Sequence, residues 1–281
     1  RKQKDGSDPF FMYWATPIPH LPLQAPQRWV DYYRKKLGPE EPYAGRSGYY
    51  PTPYPRATYA AMISYLDEMV GELVQQLKDQ GQYENTLILF TSDNGPTYTG
   101  GSDSPFFNSG RPFRSERGYG KGYVREGGVR VPLIASWPAR IAPNSKASTV
   151  AVQYDFMATF ADLLHFEPPA TNTGHSFLPA LLGEEQAYSH DHHIWYFPEY
   201  GGQVAVRKGP WKLMRDQIRN PERSMLYLYD VEQDSLEISN RLVSEPKRAA
   251  ELDTVFQQVY RMPELERFQL PGLEKGLLWQ E

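Results

Sequence analysis

The sequence predicts an α/β fold: a helix-sandwiched sheet over residues 1 to 185 and a small antiparallel α+β subdomain over residues 186 to 281. Two observations carry this. Leu87, Ile88, Leu89 and Phe90 form a run too short for a helix and apolar on both faces, the pattern of a central parallel strand covered by helices. After residue 186, short aromatic and β-branched runs alternate with Gly-Gly, Lys-Gly-Pro and Asn-Pro turns, as in an antiparallel sheet.

The elements follow in order. Arg1 to Asp8 reads as a charged loop, and Pro9 to Ala15 (Pro-Phe-Phe-Met-Tyr-Trp-Ala) as an apolar strand leading to His20. From Ala57 to Gln80, Ile63, Leu66, Val70, Leu73 and Leu77 make one helical stripe, with Asp67, Glu68 and Glu72 on other faces and Gly81 as the stop. Residues 86 to 91 are the strand, and its carboxyl end is where an open α/β sheet places a ligand crevice. Residues 96 to 120, rich in Gly, Ser, Pro and Asn, predict a binding loop, and Val131 to Trp137 a further strand. Val152 to Leu164 predicts a helix with Phe156, Phe160, Leu163 and Leu164 inward, and Phe177 to Leu182 a short helical turn. Strands at Ile194, Gln203, Trp211 and Met225 then precede a helix from Ala249 to Met262, whose Leu252, Val255, Phe256 and Val259 would cover one sheet face.

Composition narrows the class. The 281 residues suffice for one large domain or two smaller ones. A formal charge of −4 leaves no basic footprint for nucleic acid, and the absence of cysteine excludes disulfide and thiol chemistry. No run of 18 apolar residues occurs, so no membrane span is expected.

Candidate chemistry gathers at strand ends and glycine loops. Asp93 and Asn94, at the end of Thr-Ser-Asp-Asn-Gly, offer hard oxygens that suit Ca²⁺ or Mg²⁺ better than Zn²⁺. Lys121 lies in Gly118-Tyr-Gly-Lys-Gly, where glycines let backbone approach a ligand, and His20 sits on a stiff segment between Pro19 and Pro22. In this order, with Glu-Gly-Gly-Val-Arg-Val-Pro, Trp-Lys-Leu and Leu-Tyr-Asp, these pieces resemble the C-terminal half of a type I sulfatase of the arylsulfatase family, from about Pro9 to Asn240.

That resemblance implies an alkaline-phosphatase-like sheet and hydrolysis of sulfate esters. His20 and Lys121 match the family's sulfate-binding or proton-donating positions, and Asp93 and Asn94 match two of its calcium ligands, with Mg²⁺ as the alternative cation. It also implies a formylglycine nucleophile, made from Cys or Ser in Cys/Ser-x-Pro-x-Arg, located in an N-terminal half outside this chain. The one match here, Ser136-Trp-Pro-Ala-Arg140, is followed by Ile-Ala-Pro-Asn-Ser rather than a helical period and is expected to be a strand-to-loop segment. A periplasmic, secreted or lysosomal location is implied by the family and not by the chain.

Substrate contacts are expected from His192 and Trp195 beside Tyr196, because aromatic faces suit sugar rings; the expected partner is a sulfated saccharide or small molecule. In Ser189-His-Asp-His-His193 a strand would put His190 and His192 on one face and turn His193 away, too few ligands for a metal. Arg130 is expected to pair internally with Glu126. Two other functions stand beside the sulfatase. One is a phosphatase or phosphodiesterase of the same superfamily, where this strand end reads Asp-His-Gly to serve Zn²⁺; Asn94 argues against it. The other is an inert carbohydrate-binding fragment, since no nucleophile is apparent.

Overall fold

The computed structural model describes residues 9–46, 48–186, 188–273 and 278; the loop expected at Arg1 to Asp8 lies outside them. The chain divides into two compact units. One holds the described residues up to Leu73 with Thr99–Ser102, the other those of Val74–Tyr98 and Asp103–Glu281, a division that falls elsewhere than residue 185.

The first unit is built on helix α1 (Gln27–Leu37) and helix α2 (Pro55–Asp79), which runs on into the second. α1 carries Arg34, Lys35 and Lys36 in its last turn, where cations suit the helix dipole, and ends at Gly38 with φ 79°. α2 opens on Pro55, and the Glu40 carboxylate accepts from the N–H groups of Arg56 (2.6 Å) and Ala57 (3.0 Å), which no helical carbonyl can reach. Glu68 ties the helices by accepting from Arg28 and from Trp29 Nε1. Of the expected stripe Leu66 and Leu77 are buried, whereas Ile63 is 43% exposed; Ala57, Ala61 and Met62 complete the buried face. No strand forms at residues 9 to 15, where Phe11 and Tyr13 are 75% and 83% exposed.

In the second unit, β1 (Ile88–Thr91) pairs with β2 (Leu133–Ser136) as a two-stranded antiparallel sheet, Ile88 opposite Ser136 and Thr91 opposite Leu133. This corrects the parallel, fully covered strand expected from the apolar run. Phe90, Leu133 and Ile134 are exposed. An apolar pattern reports what a strand can bury, not the direction of its neighbour. Two short helical turns, α3 (Ser104–Phe107) and α4 (Glu126–Val129), lie between the strands, and α5 (Asp155–Leu164) and α6 (Leu178–Leu182) follow. The buried stripe of α5 is Asp155, Ala158, Thr159 and Ala161, whereas Leu164, expected inward, is 64% exposed.

The C-terminal sheet forms as the sequence predicts: β3 (His193–Phe197), β4 (Gln203–Lys208), β5 (Trp211–Asp216) and β6 (Met225–Asp230) in antiparallel order β3-β4-β5-β6. Helix α7 (Pro246–Val259) covers one face, with Leu252, Val255 and Phe256 against Val204, Val206, Leu213 and Leu228. Phe256 is fully buried, which contributes about 1.5–3 kcal/mol. The other face packs Ala205, Met214 and Tyr229 on Val124. Among the described residues no helix is long and apolar enough to cross a membrane.

Candidate active site

β1 ends at Thr91 in a tight turn, where Ser92 Oγ donates to the Asn94 carbonyl (3.0 Å). Asn94 Nδ2 donates to the Gly95 carbonyl (2.9 Å), so the amide's other end, Oδ1, remains an available acceptor. Asp93 is exposed, and its carboxylate makes no hydrogen bond or ion pair among the described residues. Two hard oxygens thus stand side by side at the strand end.

Glycines bring Lys121 to this turn. Gly95 N–H donates to the Gly128 carbonyl (2.9 Å), and Lys121 N–H donates to the Pro96 carbonyl (3.0 Å). The backbones cross so closely that a Cβ on Gly95 would overlap the Gly127 carbonyl, and one on Gly127 the carbonyl of Arg114. A Cβ on Gly120 would stand 2.6 Å from the Pro96 oxygen. Only glycine allows that approach. The Lys121 ammonium, half-buried, pairs with nothing among the described residues.

Behind the crossing lies a buried ionic network. Glu126 heads α4, and its backbone N–H donates to Glu237 Oε2 (2.9 Å) while its carboxylate accepts from Lys212 Nζ (2.9 Å). Arg130 and Arg207 approach the same carboxylate at 3.3 and 3.6 Å, so the expected Arg130–Glu126 pair is present. Lys212 also lies 3.1 Å from Glu237 Oε1, but out of hydrogen-bond alignment, which makes that contact coulombic. Burial pushes the Glu126 carboxyl up, yet Lys212, Arg207 and Arg130 outweigh it and hold it below the usual range. The C-terminal sheet thereby fixes the Gly127-Gly128 segment on which Gly95 rests.

The remaining sequence candidates are carried by other segments of the chain. His20 belongs to the first unit; it is exposed, its Nδ1 2.8 Å from the Leu21 carbonyl. Ser136 ends β2 opposite Ile88, at a strand terminus and not a helix start. Trp195 is half-buried with its ring 5.5 Å from Lys212 Nζ, packed beside Ala205 and Met214. His192 lies next to Asp191 (3.7 Å) at the β4–β5 turn end of the sheet. The far end of β3, Phe197, five residues on at about 3.3 Å each, is about 16 Å away.

The histidines pair differently from the sequence expectation because the strand starts only at His193. His190 and His193, not His190 and His192, come together (5.3 Å between rings), with His175 4.5 Å from His190. Asp155 binds the group, 2.7 Å from His190 Nε2 and accepting from the N–H groups of Val152 and His175. Burial, with His190 and Arg207 nearby, pulls the His193 imidazole down to about 4. An unfolded histidine takes its proton near pH 6.5, so between about pH 6.5 and 4 unfolding takes up a proton and stability falls as pH falls. The expected loss reaches roughly 3 kcal/mol across that window. Thermal unfolding of the His193→Phe variant should decline less steeply there than wild type; parallel declines would refute the assignment.

Among the described residues no group of three or more His, Cys, Asp or Glu side chains is placed to hold a metal ion. Asp93 and Asn94 have the donor chemistry of hard oxygens, and two such donors are fewer than the six to eight oxygens that Ca²⁺ takes. Backbone hydrogen bonds thus hold the Lys121 loop against the Asp93-Asn94 turn at the end of β1, in a fold whose elements follow α/β order.

Comparison with known proteins gives that fold its family. Residues 2–166 match the sulfatase family and residues 115–264 the family described as N-sulphoglucosamine sulphohydrolase, C-terminal. The chain belongs to the sulfatase family, the type I sulfatases of alkaline-phosphatase-like fold. It is 29% identical over 269 residues to N-acetylgalactosamine-6-O-sulfatase of Bacteroides thetaiotaomicron, covering 90% of this chain and 47% of that relative. With human arylsulfatase A it shares 32% over 216 residues, 73% of this chain and 35% of the relative. The crystal structure of Ps i-CgsB superposes with a TM-score of 0.68 at 25% identity, over 86% of this chain and 48% of that one. The chain thus spans about half the length of the first relatives it matches, or less.

Proposed function

We propose that this chain supplies part of the active site of a sulfuric ester hydrolase acting on sulfated saccharides. The observation that carries the reading is the Lys121 N–H to Pro96 carbonyl bond, which ties a free ammonium to the Asp93-Asn94 turn. Lys121, a compact charge, binds the sulfate oxygens and stabilises charge moving onto the bridging oxygen. His20 is assigned to sulfate binding or to protonating the leaving alcohol. Asp93 and Asn94 would hold Ca²⁺, or Mg²⁺ in its place, and the cation when bound polarises the ester. The nucleophile is assigned to a formylglycine outside residues 1 to 281. The name of the N-acetylgalactosamine-6-O-sulfatase relative supports a saccharide substrate. A periplasmic, secreted or lysosomal location accords with that substrate.

Asn94 bears on the phosphatase alternative, since an amide oxygen suits a hard cation and the imidazole it replaces would suit Zn²⁺. The test is release of inorganic sulfate from N-acetylgalactosamine 6-sulfate by the full-length protein, against release of phosphate from the matching phosphate ester. Phosphate release exceeding sulfate release would overturn the assignment.

A further inference from the structure

Residues 197 to 202 hold a bulky side chain in a backbone conformation that bulky residues avoid. Tyr200 has φ 50°, followed by Gly201 and Gly202 at 89° and 79°. A non-glycine residue is strained there, and such strain persists only where its surroundings over-determine it. They do here: Gly202 N–H donates to the Glu199 carbonyl (2.9 Å), Arg219 N–H to Gly201 (2.9 Å), Ile218 N–H to Gly202 (3.1 Å), and Gln217 Nε2 to Tyr200 itself (3.1 Å).

The strained turn delivers the Tyr200 ring to the loop of Lys121. The ring lies so close to Gly122 that any side chain at 122 would overlap its edge. Phe197 supports it edge-on at 5.7 Å, and Tyr123 lies 5.8 Å away. Tyr98, four residues after Asn94, lies tilted against Tyr123 at 6.1 Å; burial, and hydrogen bonding to Tyr123, push the Tyr98 phenol up. Three tyrosine rings are thus in contact in the order Tyr98, Tyr123, Tyr200, and the last, beside Gly122, is 52% exposed. Fold stability alone does not require an exposed ring at a strained position.

We infer that Tyr200 is a stacking platform for the pyranose ring that carries the sulfate ester, with Tyr123 and Tyr98 as its support. The inference rests on the saccharide reading above. A sugar's C–H face is apolar and its rim polar, so an aromatic ring against Gly122 would take the sugar while the ammonium of the preceding Lys121 takes the ester. The contact is made alike before and during reaction, so it acts on binding more than on turnover.

The test uses the full-length protein and saturation-transfer NMR with N-acetylgalactosamine 6-sulfate. Saturation should concentrate on the ring C–H protons, and Tyr200→Phe should retain it. Tyr200→Gly removes the ring and relieves the backbone, so it should weaken sugar binding about tenfold while raising the thermal midpoint. That opposed pair of changes separates a binding role from a structural one. Wild-type binding without ring saturation, unchanged binding in Tyr200→Gly, or equal losses in Tyr200→Phe and Tyr200→Gly would each overturn the platform. Sulfate release with an unchanged KM in Tyr200→Gly would overturn the platform alone. Tyr200-dependent sugar binding without sulfate release would overturn the hydrolase reading and leave the platform standing.

Discussion

Replacing Lys212 by Met should lower the unfolding free energy by about 3–5 kcal/mol at pH 7, the scale for removing one partner of a buried ion pair. The side chains of Lys212, Glu126 and Glu237 are 0%, 1% and 2% exposed, so the variant leaves two carboxylates away from water, Glu126 with Arg130 and Arg207 and Glu237 with only the electrostatic influence of Arg125 to answer them. Methionine matches the lysine stem in length, which keeps the cost electrostatic rather than one of lost volume. Acid should narrow the gap. Paired Glu126 keeps its charge to low pH, whereas unpaired buried carboxyls take up protons sooner and lose their penalty. Denaturant midpoints of both proteins at pH 7 and pH 5, with slopes compared, would measure this. A change below 1 kcal/mol at pH 7 would show that the network is dispensable.

Lys121→Ala in the full-length protein should reduce turnover of a sulfated saccharide 10²- to 10³-fold, or about 2.7–4 kcal/mol, the cost of losing one preorganised donor to developing charge. His20→Ala should fall in the same range if it meets the bridging oxygen. His192→Ala should leave kcat nearly intact, because His192 lies at the opposite end of β3 from Tyr200 and Gly122. Steady-state kinetics on N-acetylgalactosamine 6-sulfate separates these classes, and near-wild-type kcat in the Lys121 and His20 variants would move the active site to other residues.

The C-terminal meander was legible because its runs carry period-two patterning and glycine turns, both local signals. The Asp93-Asn94 turn and the Lys121 loop were legible for the same reason, each being a short motif. What joins them was not. Lys212 and Glu237 lie 86 and 111 residues from Glu126, and no periodicity relates a buried charge to so distant a partner. The apolar run at Phe10 to Trp14 misled for a related reason, since exposure depends on what chain is present to cover it. Strand register packs Trp195 beneath Lys212 and leaves Tyr200, a residue with no motif around it, beside Gly122, and neither placement can be read from local pattern.

The glycine crossing at Gly95, Gly120, Gly127 and Gly128 also limits how such a protein can diversify. Any substitution at these positions adds a Cβ where a neighbouring carbonyl already stands, so mutation has no small first step there. The spacing between the metal-type oxygens and Lys121 is therefore inherited whole. Tyr98, Tyr123 and Tyr200 surround that crossing without forming it, and their side chains can be exchanged while the two backbones stay in register. A descendant acquiring a new substrate would keep the crossing and rewrite the tyrosines.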